Sequence, residues 1–174
     1  MQTRVDLKAH LCCVFFSGNT YMFDILVYLF ETYYPPEACP KAEVLAHKLA
    51  AIGFEDEEIN EALSWLHGLR ESAALHQPFI NQHHTDSMRV YTPHELNALG
   101  HEAAGFIRFL ENSNVLPPAL REVLIARAQA IDETPIPLAK IKIVALMVLW
   151  NHEAEIDHLI FEELVTDDED RLFH

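Results

Sequence analysis

Eleven histidines stand among the 174 residues, enough to make a metal centre the first chemistry to test. A helix-borne zinc protease site needs two histidines four apart with a glutamate after the first. His94-Glu95, His101-Glu102 and His152-Glu153 each supply the opening pair, but the fourth position onward is Ala98, Gly105 and Ile156. His83 and His84, taken with His76 or His94, offer a second route. Adjacent strand residues point to opposite faces, which argues against both binding one ion. No metal and no cofactor is expected. Nucleophilic chemistry is also poorly served. No G-x-S-x-G occurs, and Ser64 lies within a helical stretch beside Trp65. Cys39, between Ala38 and Pro40, has Lys41 nearby but no fixed histidine base, which predicts an inert loop thiol. Gly100 and Gly105 have the spacing of a phosphate loop, yet Phe106 stands where the lysine is required. The carboxylate runs Glu55–Glu58, Glu162-Glu163 and Asp167–Asp170 read as water-facing helix ends, not as unlike acids in a cleft. No catalytic residue is expected, and the chain is read as non-enzymatic.

Charge narrows the partners. Twenty-seven acidic against 12 basic residues give a net charge of −15, which disfavours direct nucleic-acid binding, since phosphate affinity comes largely from Lys and Arg. Half of the residues are hydrophobic, which excludes a wholly disordered chain. Cys12, Cys13 and Cys39 form no C-x-x-C and no even framework, as suits a reducing cytoplasm. The apolar stretch Leu11–Phe16 is short for a signal peptide. The run Ile143–Trp150 is far below the ~20 residues of a spanning helix, so it predicts a buried core helix and no membrane segment.

The elements follow from periodicity and punctuation. Residues 22–34 are apolar nearly all round, broken by Asp24 and Glu31, and predict a helix wrapped by others. Pro35-Pro36 ends it, and Pro40 opens a second helix with an inner stripe of Val44, Leu45, Leu49 and Ile52, stopped by Gly53. Asp56 caps a third, with Glu57 and Glu58 at its positive end and Ile59, Leu63, Trp65, Leu66 and Leu69 inward. Helical period is lost after Leu69. Phe79-Ile80 and Met88–Tyr91 then read as short strands around a polar tip, Asn81–Ser87. Three helices and a hairpin describe a winged helix. Further on, Thr92-Pro-His-Glu95 is a capping box, and the stripes Ala103, Phe106, Ile107, Leu110 and Leu120, Val123, Leu124, Ala128, Ile131 mark two more helices. The core helix near Trp150 and an amphipathic helix carrying Ile156, Leu159, Ile160 and Leu164 complete a bundle. The predicted fold is therefore mainly α. It has an N-terminal winged-helix-like part (22–92) of three helices plus a short β-hairpin, then a C-terminal helical bundle (93–174).

Met22-Phe-Asp-Ile-Leu-Val-Tyr-Leu-Phe-Glu-Thr-Tyr, Ala62-Leu-Ser-Trp-Leu66 and Ser87-Met-Arg-Val-Tyr-Thr-Pro93 resemble the Smg family of bacterial proteins. Gly105-Phe-Ile-Arg-Phe-Leu-Glu111, Val144–Leu149 and the ending Leu172-Phe-His174 resemble it as well. The resemblance runs in order from Met22 to the last residue. Residues 1–21 fall outside it and are expected to be an N-terminal extension, disordered or from a misassigned start. The resemblance implies no assigned activity, cofactor or catalytic residue. It does imply a gene neighbourhood near DNA-processing proteins.

On the residues, the expected function is that of a cytoplasmic interaction module docking onto an unidentified protein partner. The acidic start of the third helix, Glu57, Glu58 and Glu61, with His83, His84 and Arg89 of the hairpin, forms the candidate partner-binding surface. Glutamates at that position would repel phosphates. The alternative is a nucleic-acid-binding accessory protein in DNA processing, which would need Arg89, Arg108, Arg121, Arg127, Lys140 and Lys142 gathered into one stripe.

Overall fold

The structure is a computed structural model that describes residues 21–33, 36–80 and 89–152 together with Ile160 and Leu164, the side chains of 76–80 apart. Among these residues the chain is all helical. Helix α1 spans Tyr21–Thr32, a 3₁₀ turn Pro36–Ala38, α2 Ala42–Ile52, α3 Asp56–Ile80, α4 Pro93–Asn112, α5 Pro118–Gln129 and α6 Leu138–Asn151.

Local signals set most of these boundaries. Gly53 takes φ 115°, a left-handed conformation that costs glycine little, and its N–H donates to the carbonyls of Leu49 and Ala50 to close α2. Thr92 accepts from the Glu95 N–H while the Glu95 carboxylate accepts from the Thr92 N–H, completing the expected capping box of α4. Pro118 opens α5 where its missing N–H costs nothing. Two expected starts move. Helix α2 begins at Ala42, two residues after Pro40. Asp56 already lies in the first turn of α3, and the Glu55 N–H donates to the Glu58 carboxylate at 3.0 Å.

Helix α6 runs through the middle. Every residue from Lys140 to Trp150 is buried, as expected for a wrapped core helix, with α1 and α5 packed along it. Helix α3 lies most extensively against α5 and also covers α1 and α2, while α4 packs on α5. One apolar cluster therefore draws on both halves of the chain: Phe23, Ile25 and Leu26 of α1, Leu69 of α3, Ile107 of α4, Leu124 of α5 and Val148 of α6. Leu164 is buried in the same cluster. Two indole bonds cross between the halves, Trp65 Nε1 to the Arg127 carbonyl at 3.3 Å and Trp150 Nε1 to the Tyr33 carbonyl at 3.2 Å.

The winged helix is overturned. No strand occurs among the described residues, and α3 continues through Phe79-Ile80, the expected first strand. The cause lies in burial. Of residues 70–75 Ala73 alone is buried, and Leu75 is 74% exposed, so the apolar period fades where the helix leaves the core. Glu71, Ala73, Ala74 and Leu75 are good helix formers that sustain the helix without it. Of the expected second strand, Arg89, Val90 and Tyr91 are irregular backbone leading into α4. Among the described residues no strand lies beside them. The tip 81–87 lies outside the described residues. A smaller correction concerns α2, where Leu45 and Leu49 are buried but Val44 and Ile52 face outward.

Helix α4 carries a break at Gly100 (φ 78°, ψ 167°), a backbone region essentially restricted to glycine. The Ala98 carbonyl accepts instead from the Ile136 N–H at 3.0 Å, tying the break to the α5–α6 connection, where Pro135 follows a cis peptide bond.

Candidate functional site

Of the residues expected to meet a partner, α3 brings Glu57 and Glu61 to one exposed face, four apart. Glu58 turns inward by comparison. It is half-buried, holds the Glu55 N–H, and sits near Asp24 of α1. Burial first, and the Glu58 charge second, push the Asp24 carboxyl up to about 6. His83 and His84 lie outside the described residues. Arg89 is spoken for inside the molecule. Its guanidinium donates to Glu95 at 2.7 Å and to Glu122 at 2.9 Å, and lies over the Tyr91 ring at 4.9 Å. Arg89 holds Glu95 down at about 2, with the Thr92 backbone N–H adding to the effect. Arg121 extends the network, pairing with Glu122 at 2.8 Å and with Glu111. These pairs lock the chain before α4 and both ends of α4 onto α5.

Three further cations are buried or half-buried. Lys140 is 8% exposed, ion-paired to Glu133 and placed over the Phe23 ring. Lys142 is 3% exposed and lies 5.8 Å from the centre of the Phe106 ring. Arg127 is half-buried against Gly68, where even a Cβ would strike its guanidinium. Of the six residues that a basic stripe would require, Arg108 alone is exposed.

A cavity of about 320 Å³ opens between α1, α3 and the α5–α6 connection. Phe23, Trp65 and Ile131 give it apolar walls; Glu61, Ser64, Arg127, Asp132, Glu133 and Lys140 give it charge and hydroxyl. Sequence reasoning placed Glu61 on the surface but did not see this concavity, which joins residues more than 60 positions apart. A usable signal existed: a lysine within an apolar helix needs a carboxylate, and Glu133 precedes Lys140 by seven. A second hollow, of about 370 Å³, lies by Arg89, Tyr91, His101 and Arg108.

Among the described residues no three His, Cys, Asp or Glu side chains are grouped to hold a metal ion. Cys39 is half-buried, and burial pushes its thiol above the ordinary range despite the opposing Arg70, as suits an unreactive thiol. No described helix is long and apolar enough to cross a membrane.

With this geometry in hand, comparison with known proteins places the chain. No solved structure matches it. A family described as "Protein of unknown function (DUF494)" matches residues 22–174. Proteins called "Protein Smg homolog" from Bordetella petrii and Bordetella pertussis are each 56% identical over 153 residues, covering 88% of this chain and the whole of each relative. The homologue from Methylibium petroleiphilum is 48% identical over the same length. The resemblance seen in the sequence blocks is thereby established, and the chain belongs to the Smg family, a family of unknown function.

Proposed function

We propose that this chain is a non-enzymatic cytoplasmic docking module whose partner is a protein with a basic surface. The observation that carries the reading is the disposition of charge. Arg89, Arg121 and Lys140 are held in internal ion pairs and Lys142 is buried, while Glu57 and Glu61 stand free at the surface of α3. Among the described residues the exposed carboxylates outnumber the exposed cations Lys41, Lys48, Arg70 and Arg108, and a surface of that balance attracts cationic groups and repels polyphosphate. The three-residue turn Gly53–Glu55 sets the start of α3 beside the end of α2, where Ile52 is about half exposed, and Val44 at the other end of α2 is about half exposed as well. Acidic and apolar side chains together suit a protein interface better than a nucleic-acid one.

Crosslinking with mass spectrometry in the native bacterium tests this. Lys41 and Lys48 of the α2 segment should crosslink repeatedly to one protein, and Glu57→Lys with Glu61→Lys should remove those links while circular dichroism stays unchanged. Links unaffected by the double substitution would move the site elsewhere. Binding of duplex DNA by the purified chain at near-physiological salt, with steep salt dependence, would replace the reading with the nucleic-acid one.

A further inference from the structure

We infer that the cavity between α1, α3 and the α5–α6 connection is a binding site for a basic α-amino acid group, one that carries an α-carboxylate and a cationic side chain. The inference goes beyond the docking reading and does not depend on it. Its volume, about 320 Å³, lies at the lower end of the range for small-molecule sites. Two of its charges cancel, because Lys140 is paired with Glu133 and covered by Phe23. Arg127, Glu61 and Asp132 also line the cavity and form no ion pair within 4 Å among the described residues, although the charge of Glu71 acts on Arg127 from a greater distance.

Arg127 is the strongest pointer. The guanidinium is half-buried at the cavity wall, its Nε has no hydrogen-bond partner, and burial pulls the group below its ordinary range against the opposing charge of Glu71. A buried charged donor without an acceptor is costly, and a carboxylate is the acceptor that fits a guanidinium fork best. The position is built to keep that group in place. Gly68 leaves the space the guanidinium occupies, and the Arg127 carbonyl is held by Trp65. The two free carboxylates, Glu61 from α3 and Asp132 from the connection, ask for the opposite sign. One guanidinium and two carboxylates are neutralised by a ligand with one negative and two positive groups, which is the charge pattern of free arginine or lysine. Trp65 and Phe23 supply apolar wall for the methylene stem, and the exposed Ser64 adds a hydroxyl. The C-terminal arginine or lysine of a protein shares the carboxylate and the side-chain cation, and lacks only the free ammonium.

Titration of the full-length chain by calorimetry and by amide NMR, with L-arginine as probe, tests the assignment. Saturable binding is expected, with shifts centred on Glu61, Trp65, Arg127 and Asp132. Arg127→Gln and, separately, Asp132→Asn should each weaken it by roughly ten-fold, the size of one lost charge-assisted bond. Asp132 is exposed in the connection, so its substitution leaves the fold intact. Agmatine, which lacks the carboxylate, should bind roughly ten-fold more weakly than arginine. N-acetyl-arginine separates the two sources: weaker binding than arginine identifies the free amino acid, and equal binding identifies a protein C-terminus. Absence of saturable binding by both arginine and N-acetyl-arginine, agmatine equal to arginine, or indifference to both substitutions would overturn the site. None of these results bears on whether α2 and α3 crosslink to a partner.

Discussion

Asp24 shows how much one side chain can carry that its letter does not reveal. In the sequence it is a polar interruption of an apolar helix. In the fold it is half-buried near Glu58, and its carboxyl rises from the ordinary 3.8 to about 6. Below 3.8 it is protonated folded or unfolded. Between there and about 6 the folded chain keeps a proton that the unfolded chain has lost, so stability falls as pH rises through that window and stays reduced above it. Asp24→Asn should therefore raise the thermal midpoint at neutral pH, with the gain disappearing below 3.8; melts across that range will show it. Arg89 makes the opposite case. It was legible as an exposed cation of a hairpin, and it is instead the clamp between Glu95 and Glu122. Arg89→Ala should cost about 2 kcal/mol in urea denaturation, between the values for exposed and fully buried pairs.

Among the elements, the helices whose limits are set within a turn were readable and those set by remote packing were not. The Thr92–Glu95 box, Gly53 and the proline at the start of α5 act on neighbours three or four residues away. The continuation of α3 past Leu69 was hidden, because fading periodicity marks the end of the core as readily as the end of a helix. The outward turn of Val44 and Ile52 was hidden for a related reason: hydrophobicity predicts burial only where a partner surface exists. Gly100 was visible as a glycine but not as a break. Its backbone angles, and the bond from Ile136 to Ala98, assign it the joint between α4 and the α5–α6 connection. Gly100→Ala should destabilise by roughly 1–3 kcal/mol, since a Cβ makes that conformation strained whatever the space around it. The same denaturation series checks it.

In the molecule taken whole, the core belongs to both halves of the chain. Helix α1 is buried against α6, α3 lies on α5, and both indole bonds run between the halves. A fragment of residues 21–92 would expose the apolar faces of α1 and α3 together. It should show no cooperative thermal transition by circular dichroism, whereas the full chain should unfold in one; a sharp melt of the fragment would show an independent unit. The cavity is likewise a property of the assembled molecule. Glu57 and Glu61 share a face because α3 is helical, but Glu61 meets Asp132 and Arg127 around one hollow only through the packing of α3 on α5.

The sequence by itself determined that the chain is mainly helical, which stripes of α3, α4, α5 and α6 turn inward, that its charge is strongly acidic, and, through ordered blocks from Met22 onward, its family. Those properties rest on period, on caps and on composition, all of which act locally or as sums. Only the tertiary structure decided that no hairpin forms from Phe79-Ile80 and Arg89–Tyr91, which cations are consumed, and where a cavity opens. Each depends on groups far apart in the chain, such as Arg89 and Glu122 at a separation of 33 or Trp65 and Arg127 at 62. A charge acts on whatever lies within a few ångströms of it, and that neighbourhood exists only once the helices have packed.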